Sequence, residues 1–454
     1  MKKIFYLCSI ALTILTSCSD VDRADNLFNE NRFEEAAELY QKAAEDGDGY
    51  AMWKLSGMYN SGRGVQYNQK KALELLRKSA NAGCEEAICD SLRAHIWGWY
   101  HFKKEPQSTF DKFVKFAKST DNSYVQACYA SVYYDGIDDV LEKDKDKAEE
   151  ILEKVKDKSN DIYRCMMGVI YCNGTTKTEI DENKAIEYWE KSYYYSKIAN
   201  LYLFGGSLVE KDINKAIEYY KKGVEREHSA SMVSLARIYS SSDSIYKEYH
   251  DIKTARQLIS NAIHHGDGDA CDMLGCWYAL GENDFAIDEE KAFEYFNKAY
   301  EYCSVNGARN AGVNYFTGRG CKQNIQKAIE CFTYAAEHGS GEAALNLWEL
   351  YINGTIKEGA NKDVINVDKA VMYLKKAAKL NNARACLILG LNYSDESSFC
   401  GKDDQQAFAY LKKAADLGSY EACEHVSYMY KEGQGCTQDL KLSKEYEKKA
   451  KGSD

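Results

Sequence analysis

The stretch MYNSGRGVQYNQKKALELL, residues 58–76, supports two opposed readings. Gly62 and Gly64 stand two apart, lysines follow, and an apolar run of helical spacing then opens. A glycine-rich loop ahead of a helix is one way backbone N–H groups cradle a phosphate. The same letters also describe a bend between two helices, where glycine takes the left-handed conformation. Recurrence decides between them, so internal repeats come before motifs.

The stretch recurs. Positions equivalent to Ala72 are Ala36, Phe110, Ala148, Ala185, Ala216, Ala255, Ala292, Ala328, Ala370, Ala407 and Ser443, spaced 31 to 42 residues apart. Twelve copies fill the chain beyond its N-terminal segment and leave no room for a separate catalytic domain. Four residues before the anchor stands Asp or Asn: Asn68, Asp144, Asp181, Asp212, Asp251, Asp288, Asn324, Asn366, Asp403 and Asp439. These side chains accept a hydrogen bond from an orphan N–H at a helix start. In the third copy Pro106 takes that place, as proline tolerates a helix start.

A first helix precedes each capped one. Its stripe is a small or apolar residue, an apolar one at +4, Gly, Ala or Ser at +5, and Tyr at +8, as in Ala270, Leu274, Gly275, Tyr278. Glycine follows three residues later at Gly62, Gly136, Gly174, Gly205, Gly281, Gly318, Gly354 and Gly433. The Gly62/Gly64 pair is repeated at Gly318/Gly320 and Gly433/Gly435, with neither GxGxxG nor GxxxxGK[ST]. The bend is therefore the expected reading. Lys71 and its equivalents Lys147, Lys184, Lys215, Lys291, Lys327 and Lys369 read as a solvated helix face.

The consensus A-x-x-x-L-G-x-x-Y-x-x-G-x-G followed by D-x-x-K-A-x-x-Y/L-x-x-K-A-A-x-x-G resembles the Sel-one-like repeat family, a relative of the tetratricopeptide repeat. Residues 50–452 carry it in register; the first copy looks more like a plain tetratricopeptide unit. The resemblance implies an all-α fold, a right-handed α/α superhelical solenoid of about twelve helix-pair repeats. It also implies an adaptor or scaffold role rather than an enzyme. Some secreted members staple each junction with two cysteines eight apart. Here Cys271, Cys386 and Cys423 face Ile263, Ala378 and Ala415 instead, so buried free thiols are expected, while a pair such as Cys84–Cys89 stays open.

Residues 1–17 read as a leader, with Lys2 and Lys3 before an apolar run too short to span a membrane. Leu15-Thr16-Ser17-Cys18 resembles the bacterial lipobox. That resemblance implies cleavage before Cys18, acylation of Cys18, a tether over 18–23 and the solenoid over 24–454. Localisation would be the cell envelope, anchored to the membrane, with the outer membrane favoured and its face open. The net charge of −11 argues against nucleic acid as partner. No cofactor is implied. HHGDGDAC, residues 264–271, falls in the turn between units, so no metal site is expected there.

Function is sought where the repeat breaks. Residues 84–124 put His95 in the tyrosine slot and cluster Trp97, Trp99, Tyr100 and Phe102, candidate anchors for an unknown protein or peptide. Residues 186–215 lack six residues at a junction, and Tyr193–Tyr195 are expected to fill the gap. The segments 240–251 and 354–366 replace or extend the glycine turn, and 439–454 reads as a terminal cap. The leading expectation is a lipid-anchored interaction scaffold. Its rival is a glycan- or small-molecule-binding lipoprotein, or a cell-wall enzyme, although no catalytic set stands outside the repeat register.

Overall fold

The computed structural model describes residues 19–99, 102, 104–353, 366–396 and 398–452. Among these the protein is all-α, with no sheet beyond one isolated bridge between Ile137 and Leu141. Twelve helix pairs follow one another. They are α1 Asp20–Asn29 and α2 Phe33–Glu45, α3 Gly49–Ser61 and α4 Gln69–Asn81, α5 Glu85–Trp97 and α6 Pro106–Ala117, then α7 Ser123–Asp135 and α8 Lys145–Glu153. Next come α9 Asp161–Asn173 and α10 Glu182–Lys191, α11 Tyr195–Phe204 and α12 Ile213–Glu225, α13 Ser229–Ser240 and α14 Ile252–His264, and α15 Gly268–Leu280 and α16 Glu289–Glu301. The last four are α17 Val305–Thr317 and α18 Ile325–Glu337, α19 Gly341–Ile352 and α20 Val367–Lys379, α21 Ala383–Ser394 and α22 Asp404–Asp416, and α23 Tyr420–Glu432 and α24 Leu440–Ala450. The chain divides into two compact bodies, Met1–Met273 and Leu274–Asp454. No helix among the described residues is long and apolar enough to cross a membrane.

All ten Asp and Asn residues act as N-caps, each accepting from a backbone N–H two or three residues on. Each such cap is worth about 1 kcal/mol. The cap's own N–H is also used. Asn68, Asp181, Asp288, Asn324 and Asp403 donate it to the carbonyls of Tyr59, Tyr171, Tyr278, Tyr315 and Tyr393 at 2.8–2.9 Å. That bond ties the end of the first helix to the start of the second, which fixes the interval between the tyrosine and the cap.

The third unit departs by one residue from the expected register. Glu105, not Pro106, is its N-cap, and Pro106 is the first helical residue. The buried anchor is consequently Thr109, while Phe110 is only half-buried. Glu105 still donates its N–H to the His95 carbonyl, so the histidine keeps the tyrosine's backbone role.

The small residue at +5 has a packing cause. A Cβ on Gly168, Gly275, Gly312 or Gly390 would run into Trp189, Phe296, Phe332 or Leu411 of the following helix. The second glycine of the opening motif has another. Gly64, Gly320 and Gly435 all have positive φ, and a Cβ there would strike the backbone of Phe33, Glu289 or Asp404. Each is the first residue of the preceding unit's second helix. The glycine loop thus docks on a neighbouring helix start and leaves no space for a phosphate.

The repeated lysine does more than face water. Lys71, Lys184, Lys215, Lys291, Lys327 and Lys369 hold Nζ 4.0–5.4 Å from the ring centres of Tyr59, Tyr171, Tyr202, Tyr278, Tyr315 and Tyr351. Several of these rings stack in turn on a tyrosine of the second helix, such as Tyr171 on Tyr188 and Tyr278 on Tyr295. Cation–π contacts of this kind add about 0.5–1 kcal/mol at exposed sites.

The six-residue deficit before Tyr194 is taken from the helices. Helices α10 and α11 have 10 residues each, against 13 in most others. Tyr193 adopts a positive φ, and the Arg226 guanidinium lies 3.8 Å from its ring centre. Residues 354–365 of the long loop lie outside the described residues; residues 244–249 form a short 3-10 helix.

Candidate functional site

Two features set the first body apart. One is closure of the chain on itself. His265 Nδ1 lies 3.1 Å from the Gly62 carbonyl, and Arg226 Nη1 donates to the Asn29 carbonyl at 3.3 Å. Residues about 200 apart therefore meet, and Gly266 lies against the Tyr67 ring. Arg63 is drawn inside by this contact, with its Nε buried and unbonded. Beside it, burial and then the charge of Arg63 depress His228 to about 4.

The other feature is a polar cluster between α5 and α7. Asp90 is enclosed, and its carboxylate accepts from Trp53 Nε1 at 2.9 Å and from the Tyr124 hydroxyl at 2.8 Å. Arg93, one turn on, donates from Nη1 toward Asp90 at 3.5 Å and toward Cys128 Sγ at 3.2 Å. Burial pushes the Asp90 carboxyl up, against the pull of Arg93. Burial also opposes ionisation of Cys128, but a hydrogen bond from the Cys89 thiol and the Arg93 charge outweigh it and lower that thiol. Cys89 moves well up through burial and the bond to Cys128.

Cys89, Asp90 and Cys128 bring potential ligand atoms within 4.8 Å of one another, the one such group among the described residues. Arg93 already supplies the cation on two of the three, which disfavours a metal ion there. The thiol that Cys89 approaches is thus Cys128, while Cys84 donates to Glu86. Cys271, Cys386 and Cys423 are buried and form no disulfide.

The four aromatic candidates separate. Trp97 and Trp99 stack with ring centres 5.1 Å apart, and the Arg93 guanidinium lies 5.6 and 5.1 Å from them. Trp99 is exposed and Trp97 half-buried. Phe102 packs elsewhere, edge-on to His95 at 4.6 Å and near Arg77. Tyr100 lies outside the described residues. The repeat pattern does not single out Trp53, Asp90, Arg93 and Tyr124, because they come from three different first helices. The signal was present: a charged pair, Asp90 and Arg93, in a helix otherwise patterned as a repeat.

A family model for the Sel1 repeat matches residues 31–48, 49–84, 126–158, 164–194, 192–228, 268–301, 305–340, 342–382, 383–419 and 421–451. The chain belongs to the Sel1 repeat family. The matches leave out residues 85–125, which hold Cys89, Asp90, Arg93 and Tyr124 of the cluster, and 229–267, which hold the 3-10 segment. Among solved structures, a protective antigen of uropathogenic Escherichia coli displaying an SLR fold is 22% identical, with 92% of this chain and 87% of that chain covered and a TM-score of 0.43. A Sel1 repeat protein from Oxalobacter formigenes is also 22% identical, covering 59% of this chain and 98% of its own, with a TM-score of 0.45. These relatives are bacterial. A Sel1 repeat solenoid is an architecture typical of non-catalytic scaffolds and suited to holding a protein partner.

Proposed function

We propose that this protein is a lipid-anchored scaffold of the bacterial cell envelope. In this reading Cys18 carries the anchor, and the third unit, through Trp97, Trp99, Tyr100 and Phe102, contacts a protein or peptide. The observation that carries the reading is the exposed Trp99 stacked on Trp97 beside the half-buried Arg93, in the stretch that the family model leaves unmatched. Exposed tryptophan beside arginine is the composition of interface hot spots. The closed first body adds rigidity, which lowers the ordering cost of binding.

The test is a crosslinking pulldown from envelope fractions with the intact chain and with a Trp97→Ala/Trp99→Ala variant. One partner recovered by the intact chain and lost with the folded variant is the expected result. Equal recovery by both would remove the third unit from the contact. Metabolic labelling with a fatty acid should mark the intact chain and leave Cys18→Ala unlabelled; label on both would exclude this anchor.

A further inference from the structure

We propose that the recess beneath Trp99 binds the C-terminal residue of a peptide, taking an apolar or aromatic side chain together with its free carboxylate. The inference deepens the scaffold reading and rests on it. The recess has a volume of about 240 Å³ and is lined chiefly by Trp53, Leu73, Leu76, Arg93, Trp99 and Tyr124. Sites for drug-sized molecules hold roughly 300–1,000 Å³. This one is smaller, the scale of a single side chain, with aliphatic residues on one side and aromatic rings on the other.

Its polar groups set the ligand's charge. Asp90 has its oxygens engaged by Trp53, Tyr124 and Arg93, so it offers little to an incoming donor. Arg93 is in the opposite state. Its Nη1 bonds Cys128 Sγ at 3.2 Å and lies 3.5 Å from Asp90, but its Nε is buried with no acceptor, and its side chain keeps 16% of its surface, bordering the recess. An enclosed guanidinium N–H left without an acceptor is costly, and a carboxylate matches the planar fork of the group. A cationic ligand would meet Arg93 and find no free acceptor on Asp90.

The source of that carboxylate follows from what adjoins it. Trp53 and Tyr124 also border a second cavity of about 640 Å³, lined by Asp25, Lys54, Glu86, Asp161 and Arg164 among others. A chain whose last residue fills the recess has there a polar path for the residues before it. A free aryl acid would leave that path unused.

The experiment is calorimetric titration of the purified full chain with a hexapeptide ending in phenylalanine. Two further ligands are its C-terminal amide and N-acetylphenylalanine. The free-acid peptide should bind, with the amide weaker by about tenfold or more. Gly57 borders the recess on exposed helix, and a Cβ there meets nothing within 4 Å. Gly57→Leu should therefore fill the recess and abolish binding while circular dichroism stays helical. Arg93→Lys, which keeps the charge and loses the fork, should weaken the acid alone.

Equal binding of acid and amide overturns the proposal, as does unchanged binding by Gly57→Leu. N-acetylphenylalanine binding as tightly as the peptide overturns the peptide assignment and leaves a small-acid site. No binding of any probe, with a partner still captured through Trp97 and Trp99, overturns this inference and leaves the scaffold reading standing. Peptide binding in the absence of any captured partner does the reverse.

Discussion

The two bodies obey one repeat rule and fill their interiors differently. Among the described residues from Leu274 to Gly452, the buried positions are dominated by Ala and Leu, and the buried polar residues are the uncharged Ser304, Asn314 and Ser443. The first body buries Glu149 and Glu182 outright and encloses Asp90, Arg93 and Arg63. Their loops differ in the same sense. In the second body, Gly320 and Gly435 dock by close approach to a helix start, as Gly64 alone does among the described residues of the first. In the first, Glu182 reaches up to the loop after α11 and accepts from the N–H groups of Ser207, Leu208 and Val209 at 2.6–2.8 Å. Glu149 similarly accepts from the hydroxyls of Thr175 and Thr178. The same connection is thus held by shape in one place and by charge in another. Only the charged form brings ionisable groups inside, where a binding site can use them.

The largest break in this comparison should come from Glu182→Ala. Three loop N–H groups, of which that of Val209 is buried, would lose a charged acceptor at once, and a hydrogen bond to a charged group is worth about 1.5–3 kcal/mol. Allowing for relaxation, a loss of about 4 kcal/mol is expected in the fifth and sixth units. Because a repeat array unfolds by neighbouring units, the loss should be local. Hydrogen exchange of Ser207–Val209 should reach the rate of an open loop, while α17–α24 keep their protection. Uniform loss across both bodies would contradict a clamp that acts on one junction.

The repeat, the caps and the glycine bend were legible in the sequence because each depends on residues close along the chain. Asn68 caps its own helix, and Gly62 ends the helix before it, so spacing alone locates both. The one slip in register, Phe110 for Thr109, came from putting Pro106 in the cap's place when proline occupies the first helical position. The recess was not legible. Trp53, Asp90, Arg93 and Cys128 lie in three successive units and meet only when their first helices stack. None falls on the stripe that marks those helices in the sequence. The lysine over each tyrosine was visible as two recurrences, but their contact depends on the angle between paired helices.

A smaller effect should separate the bodies by pH. His228 sits at about 4 in the folded chain, below the ordinary histidine value, because burial and then Arg63 disfavour its charged form. The unfolded chain therefore binds the proton first as acid is added. Stability from this site is complete above about pH 6.5 and is lost as pH falls toward 4, by up to about 3 kcal/mol. Protection of α13 and of the Gly62–His265 contact, corrected for intrinsic exchange, should fall through that window. His228→Gln should flatten the dependence. An unchanged slope in that variant would place the acid sensitivity on other groups.

The smallest expected effect tests what the two bodies share. Asp181 caps α10 in the first body, and Asn324 caps α18 in the second, each accepting from the N–H three residues on at 3.0 Å. Each also donates its own N–H to the carbonyl of its own unit's tyrosine, Tyr171 or Tyr315, a bond that alanine retains. Removing either side chain should then cost only the capping bond, about 1 kcal/mol. Asp181→Ala and Asn324→Ala should give equal losses in denaturant unfolding, read locally by exchange of Lys184 and Lys327 N–H. A markedly larger loss at Asp181 would mean that the shortened pair α10–α11 leans on its cap to offset the missing turns. The difference between the bodies would then reach into the repeat rule itself, beyond the charges that line the interior.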